Sequence, residues 1–215
     1  MFEKDKKLNF NSNSHSPHMI VPNLISGKTF ILDVGCNTGY IGEYLINHKG
    51  CIVDGIDIEK FFLDEAISKG YRRVFEVDLL NNDFVLPDGK YDYILFVDIL
   101  EHLPNPAKII SKFVNNNLKE NGNVIISLPN IARVEFRIKH LLGKFDYEES
   151  GIMHQDHLRF FTKKSAIEMI EQCGCRITKI IPTGFGHMLN LLTNLTAFQF
   201  IFVCTALPTQ SKREV

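Results

Sequence analysis

The chain has 215 residues, 45% of them apolar, and its 24 Lys and Arg nearly balance 25 Asp and Glu for a formal net charge of −1. That length and apolar content suit the core of one domain, with little left for a second. The near-neutral balance excludes a global polycationic surface, so nucleic acid is not the expected partner and any polyanion would need a local patch. Five cysteines, Cys36, Cys51, Cys173, Cys175 and Cys204, are odd in number and scattered. Cys173-Gly174-Cys175 is one residue short of a Cys-x-x-Cys knuckle, so they read as reduced, mostly buried thiols of a cytoplasmic protein.

Residues 1–16 are rich in Lys, Asn and Ser and lack the continuous apolar core of a secretory signal. They read as a disordered leader to a domain over residues 17–210. An apolar run from Phe30 enters the turn Asp33-Val34-Gly35-Cys36-Asn37-Thr38-Gly39, and a helical pattern follows over residues 41–48. Gly35 can adopt a positive φ and lets the backbone lie against a ligand, while Gly39 lets the helix start close to the sheet. A dinucleotide fingerprint counted from Gly35 needs glycine where this chain has Asn37 and Tyr40. A smaller ligand carrying positive charge, which Asp33 can hold, therefore suits the turn better than NAD. A second buried strand, residues 51–57, ends in Asp57, 22 positions after Gly35. At the carboxyl edge of a doubly wound sheet this carboxylate can accept both ribose hydroxyls; the plainer reading is an N-cap for a helix over residues 58–69. A short strand over residues 73–77 closes with Asp78 and Leu79.

Residues 33–39 resemble the first motif of the class I S-adenosylmethionine-dependent methyltransferases, with Asn37 where that family often has Gly. The resemblance covers residues 20–206 and implies S-adenosylmethionine as cofactor. Carried onto this chain, it places the cofactor's amino-acid end at Asp33, Gly35, Cys36, Asn37 and Gly39, and its ribose at Asp57 with Ile58 following. Asp78 and Leu79 would face the adenine, with a simple turn aspartate as the alternative for Asp78. Val97 and the residues after it would line the cleft beside the transferred methyl group.

Those residues are Asp98-Ile99-Leu100-Glu101-His102, which follow a strand over residues 91–97. In an α-helical turn Asp98, Glu101 and His102 fall at i, i+3 and i+4 and share one face. A helix over residues 107–118 and a strand over 124–128 come next. Residues 131–144 then carry the stripe Arg133, Arg137, His140 and Lys144, either a solvated face or a lid meeting an anionic acceptor. Thr162 is placed to cap a helix over residues 163–173, just after His154-Gln155-Asp156-His157.

That last segment resembles one in glycan-pathway and type 11/23 methyltransferases. It also resembles ubiquinone-pathway O-methyltransferases and the enzymes that methylate the terminal ribose of small RNAs. The last two branches carry Glu-x-x-Glu-His at the position of residues 98–102, and the RNA enzymes add a later histidine. The resemblance thus implies a candidate divalent-metal set of Asp98, Glu101, His102 and His157, in which Asp98 has a shorter reach than the family's Glu. The same residues would equally serve a metal-free reaction with a histidine as base, or a structural network in which the acids cap and His102 bonds a carbonyl.

Strands over residues 175–181 and 198–206 complete the expected fold, and Asn190, Asn194 and Gln199 interrupt the apolar run near the end, so no transmembrane segment is expected. The fold is a Rossmann-like α/β methyltransferase fold: a seven-stranded, mostly parallel sheet with an antiparallel last strand and helices on both faces. The expected activity is O-methylation of a hydroxyl on a saccharide, glycan precursor or other small metabolite, anionic if the basic stripe is a lid. Its rivals are a metal-dependent ribose (RNA) or quinone-pathway O-methyltransferase, and an inactive cofactor-binding partner subunit. Nothing in the residues sets the oligomeric state.

Overall fold

A computed structural model describes residues 16–81, 83–85, 88–184 and 192–207; the leader through residue 15, Asn190 and the tail from residue 208 lie outside them. One seven-stranded sheet has the order β3-β2-β1-β4-β5-β7-β6. Its parallel part comprises β1 (Phe30–Val34), β2 (Ile52–Asp57), β3 (Arg73–Glu76), β4 (Tyr91–Val97) and β5 (Leu118–Pro129). β7 (Gln199–Ala206) pairs antiparallel with both β5 and β6 (Cys175–Pro182), so β6 runs with the first five strands. This is the expected sheet with its antiparallel last strand.

Because helices cover both faces, the central strands are apolar on both sides rather than alternating. Ile31, Val53, Leu95 and Ile125 pack on one face with Val21 of α1 (Pro17–Asn23), Leu45 of α2 (Tyr40–Lys49) and Leu63 of α3 (Lys60–Ser68). Leu32, Ile94, Phe96 and Ile126 point the other way, against Ile110 and Phe113 of α4 (Pro106–Asn117) and Ala166 and Ile170 of α6 (Lys163–Gln172). Thr162 caps α6 as expected: its hydroxyl accepts the Ser165 amide, and the Ser165 hydroxyl accepts the Thr162 amide.

Three elements add to or differ from the sequence reading. α1 forms within a stretch that carries two prolines, with Pro17 at its first position, where the missing N–H costs nothing. Of residues 131–144, which carry the basic stripe, only α5 (Val134–Leu141) is helical, since Arg133 has a ψ of 147° and Gly143 takes φ +72°. The strand expected over residues 124–128 lengthens to residues 118–129 by a register shift against β4. A short α7 (Thr193–Thr196) precedes β7. Between β5 and α6, residues 130–161 cap the carboxyl end of the sheet through the Asn130–Phe161 bridge and a small cluster of Phe136, Ile152 and Met153.

In the middle of β2, the carboxylate of Asp54 is fully buried and receives bonds from Arg72 (2.6 and 2.9 Å), Arg73 (2.7 and 3.2 Å) and the Tyr91 hydroxyl (2.8 Å). All five cysteines are free and buried. No helix among the described residues is long and apolar enough to cross a membrane.

Candidate active site

The turn after β1 is built from left-handed residues: Gly35, Asn37 and Gly39 have φ of +75°, +47° and +78°. The amides of Gly35 and Cys36 both donate to the Ile56 carbonyl, at 2.8 and 2.9 Å, which ties the turn to the end of β2. A Cβ on Gly35 would lie 2.7 Å from the side chain of Ile99, so the glycine lets the turn rest directly on the residue after Asp98. The two ends of the candidate site are thereby in contact.

Asp57 sits beside this turn, half-buried. One of its oxygens accepts the Asn37 amide at 2.8 Å and the other the Glu59 amide at 3.1 Å. Glu59, not Asp57, is the N-cap of α3. The Ile58 amide also bonds this carboxylate, which keeps about one lone-pair site for a ribose hydroxyl. Burial, more than the neighbouring Glu59, raises the Asp57 carboxyl above its ordinary range, and the amides of Glu59, Asn37 and Ile58 oppose the rise. We expect Asp57→Ala to weaken S-adenosylhomocysteine binding at least tenfold by titration calorimetry, about 1.4 kcal/mol or more. Undiminished affinity would separate the carboxylate from the ligand.

Asp33, read as able to hold backbone amides or a cationic ligand group, is 3% exposed and accepts the Tyr71 hydroxyl at 2.7 Å. Burial raises its carboxyl to about 6, against the lowering effect of Tyr71. The Cys36 thiol is pushed up by burial and by Asp33 and Asp57, and stays protonated. Ile58 is exposed next to Asp57, Val97 is buried at the end of β4, and Leu79 is half-buried. Asp78 is exposed and accepts the Leu80 amide at 2.8 Å, the turn role that the residues alone also allowed.

The turn after β4 is not α-helical, so the shared face that an α-helix would give Asp98, Glu101 and His102 is absent. Asp98 takes φ +54°, a conformation that a non-glycine residue adopts at a cost, and only a short 3-10 turn follows, Leu100–His102. The Asp98 carboxylate turns to the sheet: one oxygen accepts both the Ser127 hydroxyl and the Gln199 side-chain amide at 2.6 Å. It therefore lies outside the group that the other three residues make. Glu101, His102 and His157 each offer a ligand atom, and these atoms lie within 4.8 Å of one another.

How that group is held explains its chemistry. The amides of Leu158 and Arg159 both donate to the Glu101 carbonyl, at 2.9 and 3.0 Å, and the Arg159 guanidinium donates to the Pro104 carbonyl, so the loop carrying His157 is stitched to the 3-10 turn. Nδ1 of His102 contacts the Asp156 carbonyl at 3.1 Å and Nδ1 of His157 the Ile152 carbonyl at 2.9 Å. A carbonyl only accepts, so both Nδ1 atoms carry the proton and both Nε2 atoms present lone pairs. Burial lowers the pKa of both rings, which keeps them neutral and able to ligate. Glu101 is 2% exposed, and its Oε2 has no hydrogen-bond partner. Burial first, and then the charge of Asp98, push its carboxyl well above the usual range. An orphaned carboxylate oxygen beside two imidazole lone pairs fits a divalent cation. His154 differs: its Nδ1 accepts the Asp156 amide at 3.2 Å, which leaves any proton on Nε2.

The roles of Ser127, Ile99 and Tyr71 escaped the sequence reading, and Gln199 entered it only as a polar break in the last apolar run. Each lies in an ordinary apolar or β pattern, and only the pairing of β5 with β7 or the packing of the turn discloses it. The basic stripe is largely engaged locally: Arg133 pairs with Glu135, Arg137 donates to the Ala132 carbonyl, and His140 stacks on Phe145.

A sheet of this order, with a glycine turn after β1 and an acid closing β2, is the fold of the class I S-adenosylmethionine-dependent methyltransferases. A family model described as a methyltransferase domain matches residues 9–180, and the chain belongs to that family, whose cofactor is S-adenosylmethionine. A ubiquinone biosynthesis O-methyltransferase of Pasteurella multocida is 31% identical over 150 residues, 59% of this chain and 61% of that one. The chain thus aligns with about three fifths of that relative's length. A protein of the same name from Coxiella burnetii is 29% identical over 169 residues, 77% of this chain and 71% of that one. Among solved structures, a methyltransferase from Methanosarcina mazei superposes with a TM-score of 0.64 at 20% identity, covering 93% of this chain and 99% of that one. The [4+2]-cyclase SpnF also superposes, with a TM-score of 0.58 at 13% identity, covering 88% of this chain and 80% of that one.

Proposed function

We propose that the protein is an S-adenosylmethionine-dependent O-methyltransferase whose acceptor is a small molecule with a hydroxyl that must lose its proton. The observation that carries this reading is the Glu101, His102 and His157 group at the carboxyl end of β4. Fold alone would not suffice, since a cyclase shares it. The cofactor, when bound, supplies a methyl group on a sulfonium, open to displacement by an oxygen nucleophile. A neutral alcohol attacks poorly, so the site must favour its deprotonated form.

Glu101, His102 and His157 would hold a divalent cation, and its charge would lower the pKa of a hydroxyl beside it. The Asp98 carboxylate, fixed by Ser127 and Gln199, is the nearby acceptor for the released proton. The capping segment, residues 130–161, would shield the acceptor from water. The names of the Pasteurella and Coxiella relatives support a quinone-precursor hydroxyl as the acceptor. A saccharide or other anionic acceptor draws on the basic residues of α5, most of which already have partners.

Labelled cofactor offered with catechol-type phenols, sugar acids and RNA is the test. We expect labelling of a small hydroxyl compound, a loss of at least tenfold with EDTA, and recovery with Mn²⁺ or Mg²⁺. Labelling of RNA or protein alone would refute the acceptor class, and EDTA-resistant turnover would refute the metal.

A further inference from the structure

We propose that Tyr71 is a positioning residue of the cofactor site, holding both the Asp33 carboxylate beneath the glycine turn and the first turn of α2. The inference rests on reading that turn as the seat of the cofactor's amino-acid end.

Tyr71 follows α3 and is buried among three glycines. Its hydroxyl donates to Asp33 at 2.7 Å and accepts the Gly42 amide at 3.1 Å, so it bridges β1 to α2. A Cβ on Gly42 would lie 2.2 Å from that hydroxyl, and one on Gly39 or Gly55 would lie 2.8 or 2.9 Å from a ring carbon. Gly39 needs its positive φ, but Gly42 and Gly55 are absent from the positive-φ glycines. At those two positions the missing side chain serves to admit the ring.

The groups facing Asp33 are the Tyr71 hydroxyl from the segment after α3, Asp57 from the end of β2, and the protonated Cys36 thiol from the turn. Among the described residues no Lys or Arg forms an ion pair with it. An ionised Asp33 is thus a buried negative charge supported by one hydroxyl, directly under a turn that would seat an α-ammonium. A cation bound above it offsets that charge, and the Tyr71 hydrogen bond favours the ionised form.

The test is calorimetric titration of the full chain with S-adenosylhomocysteine between pH 5 and 7, for the wild type, Tyr71→Phe and the near-isosteric Asp33→Asn. The wild type should bind about tenfold more tightly at pH 7 than at pH 5, with a midpoint near 6. Tyr71→Phe should move that midpoint upward and weaken binding at pH 7, with the gap from the wild type widening to about tenfold at pH 5, where the variant's Asp33 is the more protonated. Asp33→Asn should bind weakly and lose this pH response. A Tyr71→Phe variant with a lower melting temperature but wild-type affinity and pH curve would overturn the proposal, because a purely structural residue would behave so. If Tyr71→Phe does not fold, an Asp33→Asn protein with the wild-type pH response overturns it instead. Absence of binding by the wild type at every pH would instead remove the cofactor reading of the turn, and the proposal with it.

Discussion

Glu101→Gln should make the protein more stable at neutral pH and abolish its catalysis. The wild-type carboxylate is buried, its Oε2 has no partner, and burial together with Asp98 opposes its ionisation. Because its folded pKa is raised, this group costs nothing at pH 4, below its ordinary 4.5, and its penalty grows as pH rises toward the folded value. Gln keeps the shape and cannot ionise. The gain should be about 1–3 kcal/mol at pH 7 and comes from removing the ionisation penalty, since the Gln amide is as unpartnered as the oxygen it replaces. For a chain of this size that corresponds to about 2–12 °C in melting temperature. The same change should weaken Mn²⁺ binding strongly and lower turnover by roughly a hundredfold or more, as loss of a charged ligand does. Thermal unfolding at pH 4 and pH 7 beside a Mn²⁺ titration checks both halves. A variant no more stable than the wild type, with intact metal affinity, would make Glu101 a structural residue.

A site that stores instability in this way explains why the two ends of the cleft were unequally legible in the sequence. The glycine turn and Asp57 could be read because a strand, a tight turn and a second strand fix them within 25 positions, by local rules alone. Glu101 and His102 were legible as a pair for the same reason. His157 was reachable only through family resemblance, since two amides bonded to the Glu101 carbonyl leave no trace in residue type. The geometry of Asp98 was not legible. Its partners Ser127 and Gln199 are 29 and 101 positions away, and they hold it in a backbone conformation that no propensity favours. Tyr71 looked like one more apolar residue after a helix. Its meaning depends on three glycines in separate elements, and only the folded chain brings them to one ring.

Asp54→Ala should cost about 3–5 kcal/mol, the range for breaking a buried ion pair by removing one partner. The carboxylate is fully buried, whereas the side chains of Arg72 and Arg73 are each about two-fifths exposed, so the loss leaves two guanidinium groups and the Tyr91 hydroxyl without their shared acceptor. Arg72→Ala or Arg73→Ala alone should cost no more than about 1 kcal/mol, because the other arginine remains and the lost one is partly solvated. The Asp54 pKa is depressed, chiefly by the Arg72 and Arg73 hydrogen bonds acting against burial. Its contribution is therefore complete above the ordinary 3.8 and is lost as pH falls below that value. Urea unfolding at pH 7 and pH 3 measures both, and a loss under 1 kcal/mol at pH 7 would refute the assignment. The consequence reaches the site through strand register. Asp54 pairs with Arg73 in the same ladder that pairs Asp57 with Glu76, so a loosened β2–β3 edge displaces Asp57 from the glycine turn. Cofactor affinity should accordingly fall in Asp54→Ala even under conditions where the protein remains folded, although Asp54 lies three residues before Asp57 and is not itself part of the glycine turn.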